Sequence, residues 1–90
     1  MTIEIFNRTY TISDTLGTAL YACNQGANTA TYARLVNADI EPERLYGETA
    51  VGALNAFADA MLIHRYSAMM RTERGKERAI ELADWAVARM

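Results

Sequence analysis

Hydrophobic and polar residues alternate strictly at the start of the chain. Ile3 and Ile5 alternate with polar residues in a first run, and Tyr10 and Ile12 do so in a second run. A period of two is typical of β-strands with one buried face. A two-residue turn at Asn7-Arg8 would pair Ile5 with Tyr10 and place all four side chains on one face. Asn7 tolerates the positive φ that the first turn position requires. The pattern therefore predicts a β-hairpin over residues 1–13.

From residue 14 onward, apolar residues recur three and four positions apart, which is the spacing of one helix face. Ser13 or Asp14 can cap the first helix, and Gly26 is expected to end it. The apolar face of this helix contains Leu16, Ala19, Leu20 and Cys23. A second, short helix is expected, capped by Asn28 or Thr29, with Tyr32, Leu35 and Val36 as its apolar edge.

The second half of the chain predicts a short helix and two longer ones. Pro42 suits the first turn of the short helix, where no N–H donor is needed, and Gly47 ends it. A helix over about residues 48–71 follows, apolar around most of its circumference and therefore central. A break at residues 72–75 is expected before a final helix that begins near Lys76.

Core candidates come from the two longer helices. In the central helix they are Leu54, Phe57, Met61 and Leu62; in the final helix they are Ala79, Leu82, Ala83, Ala86 and Met90. Glu77, Arg78, Glu81 and Asp84 form the more polar side of the final helix. The chain is thus expected to be a single domain over residues 1–90, mainly α (α+β). A two-stranded hairpin (1–13) precedes a compact bundle of about four helices (14–90).

Composition narrows the class of protein. The chain has 90 residues, a net charge of −2 and 51% hydrophobic residues, which is a globular and not a disordered composition. A domain of this size builds one modest core, so a surface-based function is favoured over a deep substrate cavity. Cys23 is the only cysteine, so no intrachain disulfide can form. We expect a complete small cytoplasmic protein, with no secretory signal and no apolar run long enough to span a membrane.

Catalytic chemistry has little support. Cys23 and His64 are the one possible nucleophile and base pair, but Cys23 lies on an apolar helix face and no flanking signature supports it. Glu77 and Glu81 are four residues apart on a helix without a histidine at helical spacing. Phosphate-binding glycine loops are also missing. The sequence predicts no enzyme, no metal and no cofactor.

The segment from residue 39 to residue 48 has four acidic residues and one arginine. One interpretation is helix capping and solubility. The other is an acidic surface for a basic partner, with Leu45 and Tyr46 as anchors. The candidate partner-binding residues are Asp39, Glu41, Glu43, Arg44, Tyr46 and Glu48.

A basic segment between residues 65 and 78 supports an alternative function, a nucleic-acid-binding regulator. Its candidate residues are Arg65, Arg71, Arg74, Lys76 and Arg78. The net charge of +2 over residues 71–78 is weak for nucleic-acid contact. Residues 30–46 loosely match a helix-turn-helix pattern, but Glu41 and Glu43 would repel the DNA backbone. Direct nucleic-acid binding is therefore not favoured.

A third possibility is a structural dimer or assembly subunit, since the exposed edges of the hairpin can join two chains. The leading hypothesis is a non-enzymatic interaction protein of regulatory or inhibitory type that binds a larger protein or a nucleoprotein complex. Small acidic inhibitors of phages and plasmids work in this way, an analogy of size and charge only.

Overall fold

The computed structural model describes residues 1–23, 33–36, 40–70 and 73–90, with side chains described in 1–20, 33–36, 40–66 and 73–90. Its elements are β1 (Thr2–Ile5), β2 (Arg8–Thr11), α1 (Asp14–Cys23), α2 (33–36), α3 (Pro42–Tyr46), α4 (Ala50–Met70) and α5 (Glu73–Val87). An N-terminal hairpin followed by helices confirms the predicted fold class. The described residues hold five helical segments, where about four were expected.

The two strands form an antiparallel hairpin whose register differs from the predicted one. Ile3 pairs with Tyr10 and Ile5 pairs with Arg8, so the two-residue turn lies at positions 6 and 7. Because the register differs by two residues, each side chain keeps its predicted face. Ile5, Tyr10 and Ile12 are buried and Ile3 is half-buried, whereas Glu4 and Thr11 are exposed.

The turn itself corrects the prediction that Asn7 adopts positive φ. Phe6 does so instead, with φ of 56°, which is uncommon for a bulky residue. The Phe6 N–H donates to His64 Nδ1 over 3.2 Å. The rings of Phe6 and His64 also meet edge to face, with centroids 4.7 Å apart. These contacts with α4 determine the position of the turn. They cannot be predicted from the residues of the turn alone, because His64 is distant in sequence.

The start of α1 follows the predicted cap. Ser13 Oγ accepts a hydrogen bond from the Leu16 N–H over 3.1 Å, the pattern of an N-cap. Leu20 is fully buried, and Leu16 and Ala19 are half-buried. The predicted end of this helix at Gly26 and the side chain of Cys23 lie outside the described residues.

A sharp corner joins α3 to α4. Pro42 occupies the first turn of α3, as expected, and Gly47 ends the helix with φ of 76°. The Gly47 N–H donates to the Glu43 carbonyl over 2.9 Å. Gly52, in the first turn of α4, lies so close to the Tyr46 carbonyl oxygen that a Cβ atom would clash with it. Glycine at this position therefore permits the close approach of α3 to α4.

Helix α5 begins at Glu73, so the predicted break at residues 72–75 and the predicted start near Lys76 are wrong for the described residues. Glycine inside a helix costs about 1 kcal/mol, yet Gly75 is buried within the first turns of α5. Arg74 Nε donates to the Val36 carbonyl over 3.3 Å, and Arg78 Nε to the Leu35 carbonyl over 3.3 Å. Both contacts hold the beginning of α5 against α2.

The core lies between α4, α5 and the hairpin. Phe57 is fully buried and meets Tyr10 edge to face, with ring centroids 5.5 Å apart. Leu62 is buried, whereas Leu54 and Met61 are half-buried against the core. On α5 the fully buried residues of the predicted stripe are Ala79, Leu82, Ala83 and Ala86.

Two predictions about α5 are wrong. Met90 lies beyond the end of the helix and is 39% exposed, so it does not belong to the buried stripe. Arg78 was placed on the polar side but is only 4% exposed. The reason is that its guanidinium reaches backbone carbonyls of the segment before α3, and not solvent.

Helix α4 is central, as its nearly uniform apolar surface predicts. It packs mainly against α5 and also contacts α1, α3 and β1. Among the helices of the described residues, none combines the length and the hydropathy that a membrane span requires.

Candidate functional site

Three carboxylates are exposed on and beside α3, and they define the acidic surface of this protein: Glu41, Glu43 and Glu48. Glu41 is the N-cap residue of α3 but makes no capping hydrogen bond through its side chain. The Glu41 side chain therefore does not cap α3, although helix capping was one of the two interpretations of this acidic segment. Arg44 is exposed on the same short helix. Asp39, the remaining predicted acidic residue, lies outside the described residues.

Tyr46 faces inward. Its hydroxyl donates to Asp59 Oδ2 on α4 over 2.5 Å, and its ring centroid lies 6.1 Å from that of Trp85 on α5. Burial, followed by the hydrogen bond to Asp59, raises the pKa of Tyr46 far above its usual range. Leu45 is half-buried as well. The expected aromatic anchor therefore serves to fasten α3 to the helices beneath it, and the exposed chemistry of α3 is carboxylate.

Asp59 completes this contact from the side of α4. Burial raises the pKa of its carboxyl, and this effect is opposed by the hydrogen bond from Tyr46 and by the charge of Arg34 on α2. Asp59 thus links α3 to α4, and the charge of Arg34 on α2 acts on the same carboxyl. Together with the close approach at Gly52, this contact holds the acidic surface in a fixed position on the fold.

A second contact fastens the other side of α3 to the end of α5. Arg89 Nη2 lies 3.4 Å from Glu43 Oε1, and the Arg89 guanidinium carbon lies 4.4 Å from the centroid of the Trp85 ring. Arg89 Nη1 also donates to the Trp85 carbonyl over 3.1 Å. Arg89 was not among the residues predicted from the sequence. Its position just beyond the end of the last helix was a visible signal, because arginine side chains near a helix C-terminus can donate to the last free carbonyls.

The basic segment does not form one continuous surface in the described residues. Arg78 is buried; its Nη2 donates to the Ile40 carbonyl over 3.0 Å and its Nη1 to Glu81 over 2.6 Å. Arg74 donates to the Val36 carbonyl, Lys76 is half-buried, and Arg65 is exposed with its guanidinium 5.4 Å from the Tyr66 ring centroid. Arg71 lies outside the described residues. At least two of the five predicted side chains therefore hold the fold together.

Asp84 joins the hairpin to α5. It accepts hydrogen bonds from the Tyr10 hydroxyl over 2.6 Å and from Arg8 Nη1 over 3.3 Å. Burial, then the hydrogen bond and the charge of Asp84, raise the pKa of Tyr10 to about 12. His64 is similarly used inside the molecule, since its Nδ1 accepts the Phe6 N–H.

No metal-binding constellation is found where the structure describes the chain: no three His, Cys, Asp or Glu side chains cluster there. The side chain of Cys23 lies outside the described residues, so the prediction that Cys23 and His64 do not form a catalytic pair stays untested. The described residues do provide the exposed carboxylates of the acidic surface, of which Glu43 is paired with Arg89.

Comparisons of the chain with protein-family models, with curated proteins and with solved structures gave no significant match. Function is therefore inferred from the chemistry of the described surface.

Proposed function

We propose that this protein is a non-enzymatic interaction protein of regulatory or inhibitory type, which binds a basic surface on a larger protein or nucleoprotein complex. The acidic surface of Glu41, Glu43 and Glu48 makes the contact. The observation that carries the proposal is that all three carboxylates are exposed on and beside a short helix whose inner side is fastened to α4 and α5 through Tyr46.

Fixed carboxylates suit this task for a physical reason. A binding surface that is already ordered loses less conformational entropy when the partner docks. Charges of one sign at the rim of an interface also steer association with a partner of opposite charge and disfavour partners of like charge. The contacts of Tyr46 and Gly52 beneath α3 supply this order, while the carboxylates above remain exposed.

The nucleic-acid alternative has less support. Arg78 and Arg74 both donate to backbone carbonyls, of residues 35 and 40 and of residue 36. Arg78 is buried and cannot contact phosphate without losing those bonds, whereas Arg74 is exposed. The assembly alternative is tested by sedimentation, which would show a closed oligomer.

Charge reversal on the acidic surface tests the proposal. The variant is Glu41→Lys with Glu48→Lys, because both side chains are exposed, whereas Glu43 is paired with Arg89. Its matched control is Glu4→Lys with Glu77→Lys, which makes the same change of net charge at exposed residues of β1 and α5. Exposed charges typically contribute less than about 1 kcal/mol to stability, so both variants are expected to fold.

The measurement is quantitative affinity capture from extracts of the cells that encode the protein, repeated with purified partner. We expect the partner to be lost by the acidic-surface variant and retained by the control. Equal binding by both variants and the parent chain would refute the proposal. Loss of binding only in a third variant, Arg65→Glu with Lys76→Glu, would favour the basic segment instead.

A further inference from the structure

The guanidinium of Arg89 lies between groups of two different elements, α3 and α5. The Trp85 ring face lies beneath it at 4.4 Å, the Glu43 carboxylate lies 3.4 Å from Nη2, and the Trp85 carbonyl accepts from Nη1 over 3.1 Å. An aromatic face, a carboxylate and a carbonyl acceptor are the groups that recognise a planar guanidinium. The site is thus complementary to an arginine side chain as such.

The Arg89 side chain is held less firmly than the Trp85 ring on which it lies. Arg89 follows the end of α5 at Val87 and is 37% exposed, and Glu43 is 43% exposed. Trp85, in contrast, is only 9% exposed and lies on α5 itself. In the part of the chain that the structure describes, Trp85 Nε1 is buried without a hydrogen-bond partner, so the ring is held by packing. Arg89 can therefore leave the site without unwinding α5 or moving the tryptophan.

We propose that the site between Trp85 and Glu43 binds an arginine side chain of the partner, and that Arg89 occupies it in the free protein as an internal competitor. The inference rests on the proposed function only for the basic character of the partner. Glu43 belongs to the acidic surface, so an arriving basic segment reaches Glu41 and Glu48, which flank the same short helix, while one of its arginines replaces Arg89.

Arg89 is expected to weaken the binding of an external arginine by an amount that follows from its own contacts. One cation–π contact, one exposed ion pair and one hydrogen bond to the Trp85 carbonyl hold Arg89 in place, so its removal is expected to strengthen binding of an external arginine about three- to tenfold. A lysine ligand gains less, because an ammonium neither stacks on the indole ring nor matches the carboxylate with two donors. Preference for arginine over lysine is therefore part of the expected result.

The probe is a short arginine peptide with blocked ends, compared with a lysine peptide of equal length at low ionic strength. Trp85 is the only tryptophan of the chain, so its fluorescence reports occupancy of the site directly. The test variant is Arg89→Ala. Its matched control is Arg44→Ala, which removes the same charge from an exposed residue of α3.

We expect Arg89→Ala to bind the arginine peptide about three- to tenfold more tightly than the parent chain, with a change in Trp85 emission. The Arg44→Ala control is expected to gain less, and Arg89→Ala combined with Glu43→Gln to lose the gain. Equal gains in Arg89→Ala and Arg44→Ala would overturn the inference, because the effect would then be one of net charge. Unchanged Trp85 emission on binding would overturn it as well.

The result is separable from the test of the proposed function. If the Glu41→Lys, Glu48→Lys variant keeps its partner while Arg89→Ala gains the arginine peptide, the proposed function fails and the arginine site stands. If the acidic-surface variant loses its partner while Arg89→Ala gains nothing, the proposed function stands and the site fails.

Discussion

At the scale of single residues, Tyr10 and Asp84 form the contact that links the hairpin to α5. The Tyr10 ring packs against Phe57, and its hydroxyl donates to Asp84 over 2.6 Å. Tyr10→Phe keeps the ring and removes only the hydroxyl. We expect a loss of about 0.5–1.5 kcal/mol in the free energy of unfolding at neutral pH, the usual net value of one hydrogen bond.

The same substitution has a predictable pH dependence. Folding raises the pKa of Tyr10 from 10.0 to about 12, mainly through burial. When a group has a higher pKa in the folded state, its contribution to stability is fully present below the pKa of the unfolded state. That contribution is lost as the pH rises through the pKa of the folded state. The stability advantage of the parent chain over Tyr10→Phe is therefore expected to shrink between pH 10 and about 12. Urea unfolding of both proteins across this window measures it, and a constant difference would contradict the assignment.

The residue scale is also where sequence reasoning was least complete. The carboxylates of α3 and the burial of Phe57 follow from charge and periodicity along the chain. The positive φ of Phe6 does not, because it depends on His64, 58 positions away. The contact of Arg89 with Glu43, 46 positions away, is equally invisible to local spacing. Contacts between residues far apart in sequence decide both features.

At the scale of elements, the corner between α3 and α4 depends on one small residue. A methyl group on Gly52 would clash with the Tyr46 carbonyl oxygen, which belongs to the backbone and cannot rotate away. We expect Gly52→Ala to lower the free energy of unfolding by about 1–3 kcal/mol, the usual cost of overpacking, although alanine favours helices.

Asn55→Ala is the matched control, because Asn55 is exposed on the same helix and the substitution raises helix propensity without adding a buried atom. Thermal and urea unfolding of the two variants gives the comparison. If Gly52→Ala were as stable as Asn55→Ala, the close packing of α3 on α4 would be wrong.

Element boundaries show why patterns predict helices better than their ends. The capping of α1 by Ser13 and the start of α3 at Pro42 were predicted because each signal is local. The start of α5 was placed three residues late, because Gly75 was taken as a break. Arg74 and Arg78 offset that glycine through bonds to the carbonyls of α2, which are set by tertiary packing.

At the scale of the whole molecule, stability depends on the packing of α4 against α5 and the hairpin. Phe57 is fully buried at the junction of these elements. Phe57→Ala is expected to cost about 3–5 kcal/mol, since it removes a buried ring and leaves a cavity. That is a large share of the about 5–15 kcal/mol that stabilise an ordinary small domain.

Val51→Ala provides the control for this prediction, because Val51 lies on the same helix and is 67% exposed. Melting temperatures of the two variants measure the difference. A melting temperature for Phe57→Ala close to that of Val51→Ala would show that the ring does not contribute to the core as described.

The turn of the hairpin has a consequence for the order of folding events. Its bulky residue, Phe6, adopts a left-handed backbone conformation while hydrogen-bonded to His64 of α4. Before α4 is present, nothing stabilises that conformation, and a two-stranded hairpin alone is only marginally stable in water. We therefore expect the hairpin to close in its final register only after helix docking has begun. Although the hairpin comes first in the sequence, substitutions in it are expected to speed unfolding more than they slow folding, and measured folding and unfolding rates check this.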